Sequence, residues 1–113
     1  MVRTDLGMSP GKIASQAGHA YLGAFLACQE SNPSALAEYL RSFPGTKVCL
    51  QAKHLDALLR AQAQAQSAGI PCSLITDSGC PHFFHGQPII TALGLGPAKE
   101  HQIKHITRRF ALL

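Results

Sequence analysis

The sequence contains no tryptophan and only two tyrosines and five phenylalanines in 113 residues, so a surface that binds RNA by stacking bases on aromatic rings has little material here. Charge is also scarce, with 14% of residues charged, ten of them basic and six acidic. Alongside 46% hydrophobic residues, this composition excludes intrinsic disorder, which requires few apolar and many charged positions. No apolar run is long enough to cross a bilayer, and the opening MVRTDLGMSPGK has neither the apolar stretch nor the cleavage site of a secretory signal; a cytosolic location is expected. Also missing are a C-x-x-C pair, a G-x-S-x-G elbow and a glycine-rich phosphate loop. Those absences remove thioredoxin-like redox enzymes, serine hydrolases of the elbow type and P-loop enzymes.

What is present suits one α/β domain over residues 1–113 with a single core. The net charge of +4 with histidine neutral favours an anionic partner such as RNA. Of Cys28, Cys49, Cys72 and Cys80, three fall inside apolar runs and read as thiols of a reducing compartment rather than a disulfide framework.

Met1-Val2-Arg3-Thr4 before the turn Asp5-Leu6-Gly7 reads as the end of a short first strand, a minimal one if it is central. Ser9 as N-cap with Pro10 at the first helical position opens a helix to about Gln29, mostly apolar around its circumference. That coating leaves dimer packing open and makes a homodimer compatible with the sequence. Asn32-Pro33 starts a second helix ended by Phe43-Pro44-Gly45, and Thr46–Ala52 predicts a strand. A third helix from about His54 to Ala68 follows from leucines and alanines recurring at steps of three and four, with Gly69 closing it. Strands are expected at Ile70–Thr76 and Ile89–Leu95, separated by the turn Asp77-Ser78-Gly79 and a loop from Cys80 to Pro88. Gly96-Pro97 opens a last helix to about Ile106, and Phe110–Leu113 predicts an edge strand. This order requires a small mixed four-stranded sheet with helices on both faces.

Within it, Lys12, Gln16, His19, Gly23 and Glu30 fall within about 60° of one another on the first helix. A lysine in a first helical turn adds to the positive end of the dipole, an arrangement useful where an anion binds, though a solvated polar stripe has the same spacing. Asp77 closes an apolar strand, where sites of open α/β sheets collect and a carboxylate can serve as general base; Asp-Ser-Gly is equally an ordinary turn. Cys80, His82 and His85, and separately His101 and His105, have metal-ligand spacing. Gln102 stands where a zinc protease would carry its glutamate, and no bound metal or other cofactor is expected. Phe83 and Phe84 form the one exposed-looking aromatic pair.

Val2-Arg3-Thr4-Asp5-Leu6, Met8, Gly11-Lys12-Ile13-Ala14, Gln16 and His19-Ala20 resemble the N-terminal signature of the archaeal and eukaryotic type of peptidyl-tRNA hydrolase, the type 2 family. Ser73–Gly79 resembles its second signature and Leu93-Gly94-Leu95-Gly96-Pro97 its third, in order along nearly the whole chain. The resemblance implies a small mixed sheet covered by helices and hydrolysis of the ester between a stranded nascent peptide and the 3′ end of tRNA, recycling the tRNA without an obligate metal. It implies catalytic roles for Lys12, Asp77 and His19, and substrate binding by Gln16, Thr91, Ser78 and Gly79. Asp77 would orient or deprotonate water while Lys12 stabilises the oxyanion; in another division, Lys12 meets the terminal phosphate and backbone N–H groups stabilise the oxyanion. Cys80-Pro81-His82 departs from the family's basic residue and threonine, whereas Phe84-His85-Gly86 is similar to a variant branch. Arg108 and Arg109 replace a glycine-histidine and either meet tRNA phosphate or solvate an edge. A silent relative that binds RNA or protein, and a metal-dependent hydrolase, are the competing classes.

Overall fold

The computed structural model of the chain describes residues 1–79 and 81–113, the side chains of His82 and Phe83 excepted. Ser9 caps the first helix as its type and position predict: its Oγ accepts a hydrogen bond from the Lys12 N–H at 3.2 Å, and Pro10 begins α1, which spans Pro10–Ser31. Asn32 closes α1 through its N–H to the Cys28 carbonyl, then caps α2 (Pro33–Leu40) by accepting from the Ala35 N–H. His54, expected inside the third helix, instead precedes it: its Nδ1 accepts from the Ala57 N–H and caps α3 (Leu55–Ser67).

Four strands form one mixed sheet, ordered β2-β1-β4-β3. The first, β1 (Val2–Arg3), is as short as its sequence implies and yet central, parallel to β2 (Gln51–Ala52) and antiparallel to β4 (Ile89–Leu95). The strand expected over Thr46–Ala52 is reduced to its last two residues, because β1 offers only two positions for pairing. Strand β3 (Cys72–Asp77) is one edge of the sheet and runs antiparallel to β4. It begins two residues after the expected start at Ile70 and extends one residue past Thr76 to take in Asp77. A short helix, α4 (Pro81–Phe84), occupies part of the expected loop. The last helix, α5 (Glu100–Thr107), begins beyond Gly96-Pro97, with Lys99 at its cap. The tail contributes one antiparallel bridge, Leu112 to Leu50, in place of a full edge strand.

The sheet divides two apolar layers. On one face Ala57, Leu58, Ala61 and Ala65 of α3 and Ile106 of α5 pack with Leu93; on the other, Ala20 of α1 packs with Val2, Met8, Phe84 and Ala92. Leu58, Leu93 and Ile106 are fully buried. Full burial of such side chains stabilises the fold by about 1.5–3 kcal/mol each before the entropy of ordering them is counted. Helix α1 lies very close to the sheet because the facing positions are small. A Cβ added at Gly94 would lie 2.0 Å from the Ala20 carbonyl oxygen.

Candidate active site

Side chains alternate across a strand, so Ser73, Ile75 and Asp77 of β3 share the α1 face. Ser73 and Ile75 meet α1 at Gly23, and Asp77 meets it near its N-terminus. There the Lys12 ammonium donates to Asp77 Oδ2 at 2.6 Å, with side-chain exposures of 15% and 10%. The carboxylate thereby offsets both a cation in the first helical turn and the positive end of the α1 dipole. The lysine and aspartate singled out separately in the sequence form one ion pair.

Among the described residues two further donors converge on this carboxylate. Gln16 Nε2 donates to Oδ2 at 3.1 Å and the Gly79 N–H to Oδ1 at 2.8 Å. Gly79 is fitted to this place on two counts: its φ is +103°, and a Cβ would meet the Gly86 carbonyl carbon at 2.5 Å. Side chains rarely adopt that φ, and the close approach leaves no room for one.

Behind Asp77 lies a second layer. Register shifts between Ile75 and Thr76, which pair with Ala92 and Ile90, so Thr91 is an extra residue on β4. Such a bulge re-aims a side chain: Thr91 faces α1, where its hydroxyl donates to Gln16 Oε1. Both side chains are buried, Gln16 at 2% and Thr91 at 0% exposure. Their polar atoms are therefore directed at each other and at Asp77, in a chain Thr91–Gln16–Asp77–Lys12. Arg3 Nη1 donates to the Ile90 carbonyl at 2.9 Å, next to the bulge. The same guanidinium bonds Asp5 and lowers that carboxyl's pKa below its usual value, despite a smaller opposing effect of burial.

His19 and Ser78 are exposed and line a groove of about 490 Å³ between α1 and the outer strand β3, into which Asp77 also opens. Phe84, expected at the surface, is 5% exposed because it packs with Val2, Met8 and Ala92, and the Lys12 ammonium lies 5.6 Å from its ring centroid. This cation–π contact was legible only as an apolar residue within a polar loop.

Other candidates lie elsewhere. Cys80 and the side chains of His82 and Phe83 are outside the described residues. His101 and His105 are exposed on α5, and among the described residues no group of three metal-ligating side chains assembles. The described cysteines Cys28, Cys49 and Cys72 are free thiols. Burial pushes the pKa of Cys28 and of Cys72 up. Arg109 donates to Gln64 of α3 at 2.6 Å and packs over Phe110, on the side of the sheet away from α1. Among the described residues no helix is long and apolar enough to cross a membrane.

These features define a small α/β protein with a lysine–carboxylate pair where the first helix meets the carboxyl end of an edge strand. The family model for peptidyl-tRNA hydrolase PTH2 matches residues 1–113, and the chain belongs to that family. Similar relatives, each called peptidyl-tRNA hydrolase, come from Methanocaldococcus jannaschii (38% identity, all of this chain and 96% of the relative), Methanopyrus kandleri (39%, all of this chain and 94% of the relative) and Sulfolobus acidocaldarius (36%, all of this chain and 96% of the relative).

Proposed function

We propose that this protein hydrolyses the ester joining a nascent peptide, or an N-blocked amino acid, to the 3′ end of tRNA. The observation that carries this reading is the 2.6 Å contact of Lys12 with Asp77, whose side of the pair lines the groove, in a chain matched by the family model from end to end. The water oxygen adds to the ester carbonyl carbon, the carbon–ribose oxygen bond breaks, and the proton lost by water ends on the ribose hydroxyl.

In this reading Asp77 orients the water and accepts its proton, while Lys12 supplies positive charge where the oxyanion develops. The low exposure of both side chains strengthens those electrostatic interactions relative to water. Exposed His19 positions the water or the ribose end, and Ser78 contacts substrate from the groove wall. Gln16, Thr91 and the Gly79 N–H, for which the resemblance implies substrate binding, are assigned here to holding Asp77, because Gln16 and the Gly79 N–H donate to its carboxylate and Thr91 donates to Gln16. A tRNA substrate supports a cytoplasmic location, and the largely apolar helix α1 leaves a homodimer open.

The test is turnover of purified N-acetyl-aminoacyl-tRNA and peptidyl-tRNA by the parent, Lys12→Ala and Asp77→Ala proteins. Loss in both variants, with circular dichroism and melting temperature showing them folded, supports the assignment; parental rates in either remove that residue from the chemistry.

A further inference from the structure

Beyond the polar cluster the groove changes character. Leu22 and Leu26 on α1 are 58% and 52% exposed, an unusual placement for two leucines one turn apart on a helix whose opposite side is buried. They face the groove together with Gly23 and residues of β3, and its lining contains neither lysine nor arginine. A wall without cations does not suit the phosphates of RNA. It suits an uncharged chain with apolar side chains.

The other wall is also suited to such a chain. Strand β3 is an edge of the sheet, and among the described residues its ladder partner is β4 alone. An edge strand presents main-chain N–H and C=O groups that an extended peptide can pair with. From Gln16 to Leu26 the helix rises about 15 Å, the length of about four or five extended residues.

We propose that this groove receives the acyl side of the substrate, the last residues of the nascent peptide, extended along β3 with apolar side chains against Leu22 and Leu26. The inference rests on the hydrolase reading above and adds to it a preference for which peptides are cleaved efficiently. A peptide whose ester carbonyl sits at Lys12 and Asp77 enters the apolar stretch two or three residues from the ester.

The experiment compares tRNAs carrying a single N-acetyl amino acid with tRNAs carrying a four-residue peptide, apolar or acidic at its inner positions, on the parent and on Leu22→Asp and Leu26→Asp. Both leucines are exposed enough for a polar replacement to leave folding intact, which melting temperature checks. The parent is expected to favour the apolar peptide over the acidic one by about tenfold in kcat/KM, on the scale of apolar pocket discrimination. Each variant is expected to lose most of that advantage through KM while cleaving the N-acetyl amino acid substrate at the parental rate. An unchanged preference in both variants overturns the groove assignment and leaves the hydrolase reading standing. So does sedimentation showing that Leu26→Asp separates a dimer with preference unaltered, which would make the leucines a contact between copies. Failure of the parent to cleave the N-acetyl substrate defeats the hydrolase reading, and this inference with it.

Discussion

The Lys12 ammonium and the Asp77 carboxylate meet at 2.6 Å although 65 positions separate them in the chain. Helix α1 and strand β3 deliver them from distant parts of the sequence to one spot. If the pair performs the ester hydrolysis, Lys12→Ala is expected to lower kcat by about 10²–10³, the scale of removing one oxyanion-stabilising group. Asp77→Asn, which keeps the shape but removes the negative charge, is expected to lower it at least as far. Single-turnover rates at saturating enzyme separate this effect from binding.

Thr91 offers a finer test, because its hydroxyl donates to Gln16 in the layer behind the carboxylate. By donating to Gln16 Oε1 it fixes which end of the Gln16 amide faces Asp77. Thr91→Val keeps the volume and leaves that amide oxygen buried without its donor. The expected cost is about 1–3 kcal/mol of stability, measured by urea unfolding, with a fall in kcat larger than any change in KM. A change confined to KM would instead place Thr91 in contact with substrate.

Much of this arrangement was legible in the sequence, and the parts that were not share a cause. Ser9 and Pro10 announced the start of α1 because capping chemistry is local, and Ile89–Leu95 was readable as a strand because it is an apolar run interrupted by a single polar residue, Thr91. Lys12 and Asp77 were each visible as polar groups at the right ends of their elements, but their contact depends on the antiparallel course of α1 over β3. The bulge at Thr91 depends on register against a neighbouring strand, which no local pattern encodes. The shortening of the expected Thr46–Ala52 strand likewise reflects its partner, since a strand pairs only as far as β1 extends. Phe84 read as exposed because a polar loop surrounds it in sequence, while in space it lies among Val2, Met8 and Ala92.

Gly94 tests how α1 is held against the sheet. Its backbone faces that of Ala20, and the added carbon of an alanine would sit 2.0 Å from a carbonyl oxygen that belongs to the helix itself. Backbone cannot rotate aside as a side chain can, so α1 must shift away from β4. Gly94→Ala is expected to destabilise the fold by about 1–3 kcal/mol, typical of overpacking. Because the shift also moves Lys12 relative to Asp77, turnover should fall even at temperatures where the variant is fully folded.

Cys28 gives a chemical readout of burial. Its side chain is fully buried on α1, and burial raises its pKa. Both factors oppose reaction, since the thiolate is the nucleophile and the reagent must reach it. At pH 7–8, iodoacetamide is expected to leave Cys28 unlabelled in the native protein and to label it in urea, as followed by peptide mass spectrometry. Raising the pH toward the elevated pKa increases the thiolate fraction, but labelling should remain limited by opening of the fold. A rate that rises tenfold per pH unit without denaturant, with no plateau, would contradict the burial.

The two roles open to Lys12 make opposite predictions about salt. Binding to tRNA should weaken as ionic strength rises, with each phosphate contact contributing about 0.7–0.9 to the slope of log affinity against log salt. A lysine that grips the terminal phosphate is one such contact, so Lys12→Ala would reduce the slope by that amount. A lysine reserved for the oxyanion is not, and its removal would leave the slope unchanged while lowering turnover by about 10²–10³. The structure favours the second outcome: the Lys12 side chain is 15% exposed and its ammonium is held by Asp77 and set over the Phe84 ring, so a phosphate would have to displace an existing carboxylate to reach it. Filter binding of deacylated tRNA between 50 and 200 mM salt, on parent and Lys12→Ala proteins, decides between them without relying on catalysis. A slope lowered by about one unit in the variant would assign Lys12 to the phosphate and leave oxyanion stabilisation to backbone N–H groups.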